Sequence, residues 1–378
     1  MVGKGPVSLE ESFSALEDPR ADYGKRHLLL DMIIIAICAV ICGADSWVEV
    51  ELFGRSKEEW LRTFLGLPHG IPSHDTFGRV FQWLDPEAFG RCFREWTQRV
   101  EEVTRGQVVA VDGKTLRRSY DRASGKGALE VVSAWATANR LILGQVKVGE
   151  GTNEITAIPE LLEVLEITGC IVTVDALGCQ EAIAQAILER GADYVLALKG
   201  NQGNLYETVV DLFEYAEEID FREVEHDVHQ TVDKGHGRIE VRRCWTITEP
   251  DFLDYVREFA DWPGLRAIVK VQAERTIGAE TTQKTRYYIT SLGNDAQQAL
   301  YATRGHWKIE NQVHWVLDVV FREDACRIRK GSAPQNMAIL RHIALSLLQR
   351  EQTEKVGIKA KRLKAALDEN YLLKVLAG

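Results

Sequence analysis

The chain is 378 residues long and carries a formal net charge of −10, a length that suggests two or three domains. Apolar residues make up 45% and charged residues 27%, which excludes a long disordered or low-complexity protein. Nine acids against one base, Arg222, lie between Glu207 and Asp227, so the rest is nearly neutral and the acidic total does not exclude DNA as a partner. The seven cysteines are scattered with no C-x-x-C pair, the pattern of reduced, buried thiols in a cytosolic protein rather than of a disulfide framework or zinc finger. The longest apolar run, Met32 to Ala44, has 13 residues. A membrane span needs about 20, so the run reads as a buried helix and no membrane is expected as a partner.

Residues 1–105 read as an all-α N-terminal domain. After the buried run comes a helix from Glu58 to Leu65, with apolar positions 60, 61, 64 and 65. Ser73 is a good N-cap for a third helix, whose stripe is Phe77, Val80, Phe81 and Leu84. Asp85-Pro86-Glu87 starts a fourth: an acid as cap, proline in the first turn, then another acid. Short helices joined by tight turns suit a helix-turn-helix DNA module as well as a packing bundle. Ser73 to Arg79 is the stretch best placed to read bases.

After Arg105-Gly106 the period changes. Gln107 to Asp112 reads as a buried strand ending in an acid, and 130–136 and 141–148 as two strands joined at Asn139-Arg140. A helix over 155–165, a strand over 171–175 ending in Asp175, a helix over 180–190 stopped by Gly191, and a strand over 194–198 ending at Lys199 follow. Three strands, helix, strand, helix, strand is the order of a ribonuclease-H-like core. The fold expected is α/β: that mixed-sheet core over 106–221 and 293–350, with a β-rich insertion at 222–292 and a basic C-terminal tail at 351–378. Strands are expected at 241–248, 267–273 and 287–292. One long helix is expected from about Asp295 to Val320, with Ile309, Val313, Val316 and Val320 as its core stripe. A last helical region spans Ala333 to Arg350.

Asp112 and Asp175 each end a strand, where open α/β sheets place their ligands. Glu310 stands beside the apolar stripe of the long helix. Three carboxylates from two strands and a helix would hold a pair of Mg²⁺ or Mn²⁺ ions ~3.5–4 Å apart, the clamp used in phosphoryl transfer. Lys114, Arg117, Arg118, Arg122 and Lys126 follow Asp112, and Lys199 ends a later strand; all could hold phosphates. The loop Lys234-Gly235-His236-Gly237-Arg238 is a further candidate DNA contact. His306, Glu310 and His314 share one helix face, a rival zinc constellation that lacks H-E-x-x-H spacing and a second ligand helix. Trp307 and Trp315 read as core.

These motifs have company. Val111-Asp112-Gly113-Lys114-Thr115-Leu116-Arg117-Arg118-Ser119, Asn153-Glu154-Ile155-Thr156-Ala157-Ile158-Pro159, Val174-Asp175-Ala176-Leu177-Gly178-Cys179-Gln180 and Leu198-Lys199-Gly200-Asn201-Gln202 occur in that order. They are followed by His236-Gly237-Arg238-Ile239-Glu240, Gly305-His306-Trp307-Lys308-Ile309-Glu310-Asn311, His314 to Phe321, and Glu323-Asp324. Together they resemble the ISAs-type, H-repeat-associated DDE transposases of bacterial insertion sequences, over nearly the whole chain. The resemblance implies a ribonuclease-H-like catalytic core with Asp112, Asp175 and Glu310 as a DDE triad binding Mg²⁺, with Mn²⁺ able to substitute. It implies cleavage at element ends and strand transfer into target DNA by a homodimer on double-stranded DNA, in the bacterial cytoplasm. An inactive DNA-binding copy and a nuclease that cuts without joining are the alternatives. The glutamate helix of the wider group carries a Tyr/Arg/Glu/Lys signature. Here His306 stands at the usual Arg and Leu317 at the usual Lys; Arg304, Arg322 and Arg327 could take over their phosphate contacts, and Asp318, Glu323 and Asp324 are alternative third ligands.

Overall fold

The computed structural model describes residues 7–100, 105–120, 125, 127–149, 151–235, 237–258 and 262–377. They form two compact units: one of Met1–Glu102, Gly113–Val148 and Glu310–Gly378, the other of Val103–Asp112 and Gly149–Ile309. Arg122, Lys126 and His236 lie outside the described residues.

The first unit opens with α1 (Val7–Phe13), α2 (Leu29–Cys42), α3 (Trp47–Ser56), α4 (Glu58–Leu61), α5 (His74–Trp83) and α6 (Pro86–Val100). Every side chain from Asp31 to Ile41 is buried, so α2 is the core helix that its apolar run predicts. Gly43 ends it in the left-handed region at φ 119°, donating to Ala39 and Val40. Ser46 and Glu49 form a reciprocal capping box on α3. The Ser73 hydroxyl accepts from the Thr76 N–H at the start of α5, as expected. Phe89, Phe93 and Trp96 are fully buried on α6.

β1 (Val108–Leu116) belongs to the second unit up to Asp112 and to the first from Gly113. In the first unit the order is β3-β2-β1, where β2 (Leu129–Ala136) and β3 (Leu141–Lys147) are antiparallel. Arg140 takes the turn between them at φ 54°.

The second unit continues with α7 (Glu154–Glu163), β4 (Ile171–Val174), α8 (Glu181–Glu189), β5 (Asp193–Leu198) and α9 (Asn204–Glu218). β6 (His226–Gly235), β7 (Arg238–Ile247), α10 (Pro250–Arg257), β8 (Ala267–Ile277), β9 (Glu280–Thr290) and α11 (Ala296–Ile309) complete it. Its mixed sheet runs β1-β4-β5-β9-β8-β7-β6. β1, β4 and β5 are parallel; the rest pair antiparallel. The stretch 222–292 is β-rich as expected, but it extends the same sheet through the β5–β9 pairing. α11 packs against β4 to β8 over a core that includes Val108, Ile171, Val195, Val269, Ala299 and Ala302.

The helix expected over 295–320 is present as a continuous helical run over 296–319 that contains a π-helical turn, with Ile309, Val313 and Val316 buried as expected. α11 stops at Ile309, Glu310–His314 is a π-helical turn, and α12 spans Trp315–Val319. The period rules that predict an α-helix carry no signal for one inserted residue per turn. Back in the first unit, α13 (Ala333–Arg350) is almost wholly buried and packs against α2, α5, α6 and β3. The expected basic tail is instead two helices, α14 (Ile358–Leu367) and α15 (Glu369–Ala377). Tyr371, Leu372, Val375 and Leu376 are buried, and so are the stems of Lys361 and Arg362. Arg362 donates to the carbonyls of Val40 at 2.9 Å and of Val320, and lies over the Phe321 ring at 4.2 Å. No single described helix is long and apolar enough to cross a membrane.

Candidate functional site

Parallel pairing sets the two aspartates side by side. The β1–β4 register matches Val111 with Val174, so Asp112 and Asp175 are the next residues on neighbouring strands. Burial explains why acids sit there. Val108 to Val111 and Ile171 to Val174 are buried, and the chain surfaces at the half-buried Asp112 and Asp175. The Asp175 carboxylate is fixed by its own turn: Oδ1 accepts the N–H groups of Leu177 at 3.0 Å and Gly178 at 3.2 Å. A Cβ on Gly178 would lie 2.3 Å from Val174 Cγ1, so the turn closes only with glycine there. The loop after β5 is tied to this turn, since Asn201 and Gln202 both donate to the Ala176 carbonyl, at 2.9 and 2.5 Å. Lys199, exposed at the end of β5, therefore stands beside the aspartate strands.

α11 is seated on the same strands. A Cβ on Gly305 would lie 2.6 Å from Val108 Cγ1, so helix and strand touch as only glycine allows. One residue on, His306 Nδ1 shares a 3.2 Å hydrogen bond with Thr173 Oγ1, two residues before Asp175. Burial pushes its imidazole below the usual value, against the pull of Asp175. His306 thus faces β4, with its Nδ1 engaged by Thr173. The only sequence signal for this pair is a threonine in an otherwise apolar strand.

In the first unit, Lys114 is enclosed. Its Nζ lies 2.6 Å from Asp318, 3.0 Å from Glu323 and 3.8 Å from Asp324, and its side chain is 10% exposed. Arg341 approaches the other Glu323 oxygen at 3.6 Å, and Arg117 approaches Asp324 at 3.3 Å. Burial would raise the Glu323 carboxyl, but Lys114 and Arg341 hold it below the usual range. Asp318, Glu323 and Asp324 are therefore paired with protein cations, not grouped as a third metal ligand, and the charge of Lys114 is committed to them. Glu310 is exposed at the head of the π-helical turn.

The other expected contacts are on the surface. Arg79, Arg117 and Arg118 are exposed. Arg238 pairs with Glu240 at 3.0 Å and Arg304 with Asp233 at 3.1 Å, both at solvent. Trp307 and Trp315, expected in the core, are 45% and 55% exposed. Arg286 stacks over the Trp307 ring at 4.8 Å. Among the described residues no group of three or more His, Cys, Asp or Glu side chains is arranged to hold a metal, the Asp318–Glu323–Asp324 group being centred on Lys114; the carboxylates that strand pairing brings together are the two aspartates.

The model of the family described as "Transposase DDE domain" matches residues 104–347, and one described as "DDE_Tnp_1-associated" matches residues 10–97. An Escherichia coli K12 protein named "H repeat-associated putative transposase YhhI" is 41% identical over 98% of both chains. The chain belongs to the H-repeat-associated DDE transposase family. A second relative, "Putative transposase YncI" of Escherichia coli O157:H7, is 41% identical over 98% of this chain and 95% of its own. Among solved structures, a piggyBac transposase synaptic complex with hairpin DNA aligns with 95% of this chain and 75% of its own, at 11% identity and a TM-score of 0.42. For this transposase-family chain, the DDE match covers Asp112, Asp175 and Glu310 alike, and the associated-domain match coincides with the N-terminal helices.

Proposed function

We propose that this protein is an active DNA transposase that cuts the phosphodiester at the ends of its element and joins the freed 3′-hydroxyl to target DNA. The observation that carries the reading is the register of β1 on β4, which sets Asp112 beside Asp175 where the parallel pairing of the two strands ends, although β1 itself runs on to Leu116. The order β3-β2-β1-β4-β5 supports a ribonuclease-H-like core. The donor set fits a hard divalent cation: carboxylate oxygens, half-buried, one of them oriented by backbone N–H groups. Asp112 and Asp175, with Glu310 as the third carboxylate, would hold Mg²⁺ or Mn²⁺, which supplies charge stabilisation for phosphoryl transfer and an activated water.

The chain's own residues do the rest. Parallel pairing holds the two aspartates on neighbouring strands, so little reorganisation is needed at the reacting phosphate. Lys199, held beside Asp175 by the Asn201 and Gln202 bonds, offers an ammonium to a phosphate oxygen. Exposed Arg117, Arg118, Arg238, Arg304 and Arg79 are proposed to track the duplex backbone. Two element ends must be joined in one event, so the working form is proposed to be a homodimer on DNA.

The test is cleavage of a labelled duplex carrying the element's own ends, with Mg²⁺ or Mn²⁺, by the wild type and Asp112→Ala. Metal-dependent nicking at the end, abolished in the variant while duplex binding persists, is the expected result. Binding without nicking in the wild type would replace this reading with that of a DNA-binding copy.

A further inference from the structure

We propose that Lys114 is a positioning residue: the ion cluster around it sets the end of β1, and with it the direction of the Asp112 carboxylate. This rests on the reading of Asp112 as a metal ligand. Residues two apart in a strand project from the same face, so Asp112 and Lys114 are neighbours on one side of β1. The seat of Lys114 is tight and buried. Asp318, Glu323 and Asp324 all lie within 4 Å of Nζ. The Glu323 and Arg341 side chains are 1% and 2% exposed.

Charges in this cluster balance. Three carboxylates face Lys114, Arg341 and Arg117. Two carboxylates lie within 3.0 Å of this ammonium and a third at 3.8 Å, so its charge is turned to the cluster. Buried ion clusters of this kind are poor sources of net stability but are well suited to fixing one registry. The segment that supplies the acids is itself pinned. Arg362 donates to the Val320 carbonyl and stacks on Phe321, and Arg322 holds the left-handed region at φ 52° before the Glu323–Ala325 turn. A non-glycine residue kept at positive φ is a strain that the surrounding packing must impose.

Two physical effects of removing Lys114 have opposite signs. By charge alone, losing a cation near Asp112 tightens a divalent ion there. By loss of position, it loosens it. The experiment uses the full chain with Mn²⁺ as the probe, and reads the Mn²⁺ concentration that half-saturates the rise in melting temperature. Wild type, Lys114→Met, Glu323→Gln and the double variant are compared. Lys114→Met is expected to raise the half-saturating Mn²⁺ roughly ten-fold or more, the usual effect of losing a group that orients a ligand. Glu323→Gln is expected to raise it in the same direction, which keeps the test open if Lys114→Met does not fold. In the double variant, the melting temperature is expected to recover part of what Lys114→Met loses.

An unchanged or lower half-saturating Mn²⁺ in both single variants overturns the positioning role. So does a Lys114→Met protein that melts normally but binds duplex DNA more weakly, with a salt slope smaller by about one, the mark of a lost phosphate contact. A wild type whose melting ignores Mn²⁺ overturns the metal reading of Asp112 instead.

Discussion

His342 is fully buried on α13 beside Glu323, Lys114 and Arg341, and burial drives its imidazole down to about 4. The sign of its effect on folding follows. The unfolded chain takes up a proton on this histidine as pH falls through about 6.5, whereas the folded chain refuses it until about 4. Stability is therefore intact above pH 6.5 and is lost on acidification across that window, by up to about 3 kcal/mol. Glu323, held below the usual carboxylate range, adds a loss in the same direction at the acid end. Urea unfolding between pH 7 and pH 4 should show this loss in the wild type and a clearly smaller one in His342→Leu. Equal pH-dependence in the two proteins would mean that the histidine is not the proton acceptor. His306 makes a related point. Its place in the sequence suggests a phosphate contact, and in the fold its ring is turned from α11 onto Thr173 of β4. Sequence position names the residue type; only the fold says which way the ring faces.

Among the elements, α11 carries the most consequence, because it seats His306 and the exposed Trp307 and leads into the π-helical turn at Glu310. Its approach to β1 depends on Gly305. Gly305→Ala puts a methyl group into Val108, and overpacking of this kind costs about 1–3 kcal/mol. The helical propensity gained by alanine, about 1 kcal/mol, offsets only part of that. The variant is expected to melt below the wild type; an unchanged or higher melting temperature would show that helix and strand can separate without cost. Elements with strong periodicity were legible: α2, α5, α6, α8 and α13, and the strands β1 to β5, lie within a few residues of where the pattern places them. The missed elements have physical reasons. α9 is masked by its acids, β6 by its alternating polar residues, and α3 by its thin apolar face, of which only Val50 and Gly54 are buried. The π-helical turn at Glu310 leaves no trace in a 3.6-residue period. Tryptophan at a helical spacing suggests core, and Trp307 and Trp315 show that spacing does not settle exposure.

At the scale of the whole chain, the two aspartates were the most legible feature, since four buried residues precede each of them; Asp175 follows the end of β4 as expected, whereas β1 runs past Asp112 to Leu116. What needed coordinates was the sorting of the remaining charges. Lys114, Arg117 and Arg341 neutralise Asp318, Glu323 and Asp324 in the first unit, Lys199 is exposed at the end of β5, and α9 takes up much of the acidic surplus. The central claim is that the paired aspartates run a transposition reaction, not hydrolysis alone. A strand-transfer assay decides it: pre-cut element ends with a free 3′-hydroxyl, a plasmid target, Mg²⁺, and the wild type beside Asp175→Asn. Joined products from the wild type, reduced at least a hundred-fold in the variant while end binding is retained, are the predicted result; end cleavage with no joined product from the wild type would contradict it.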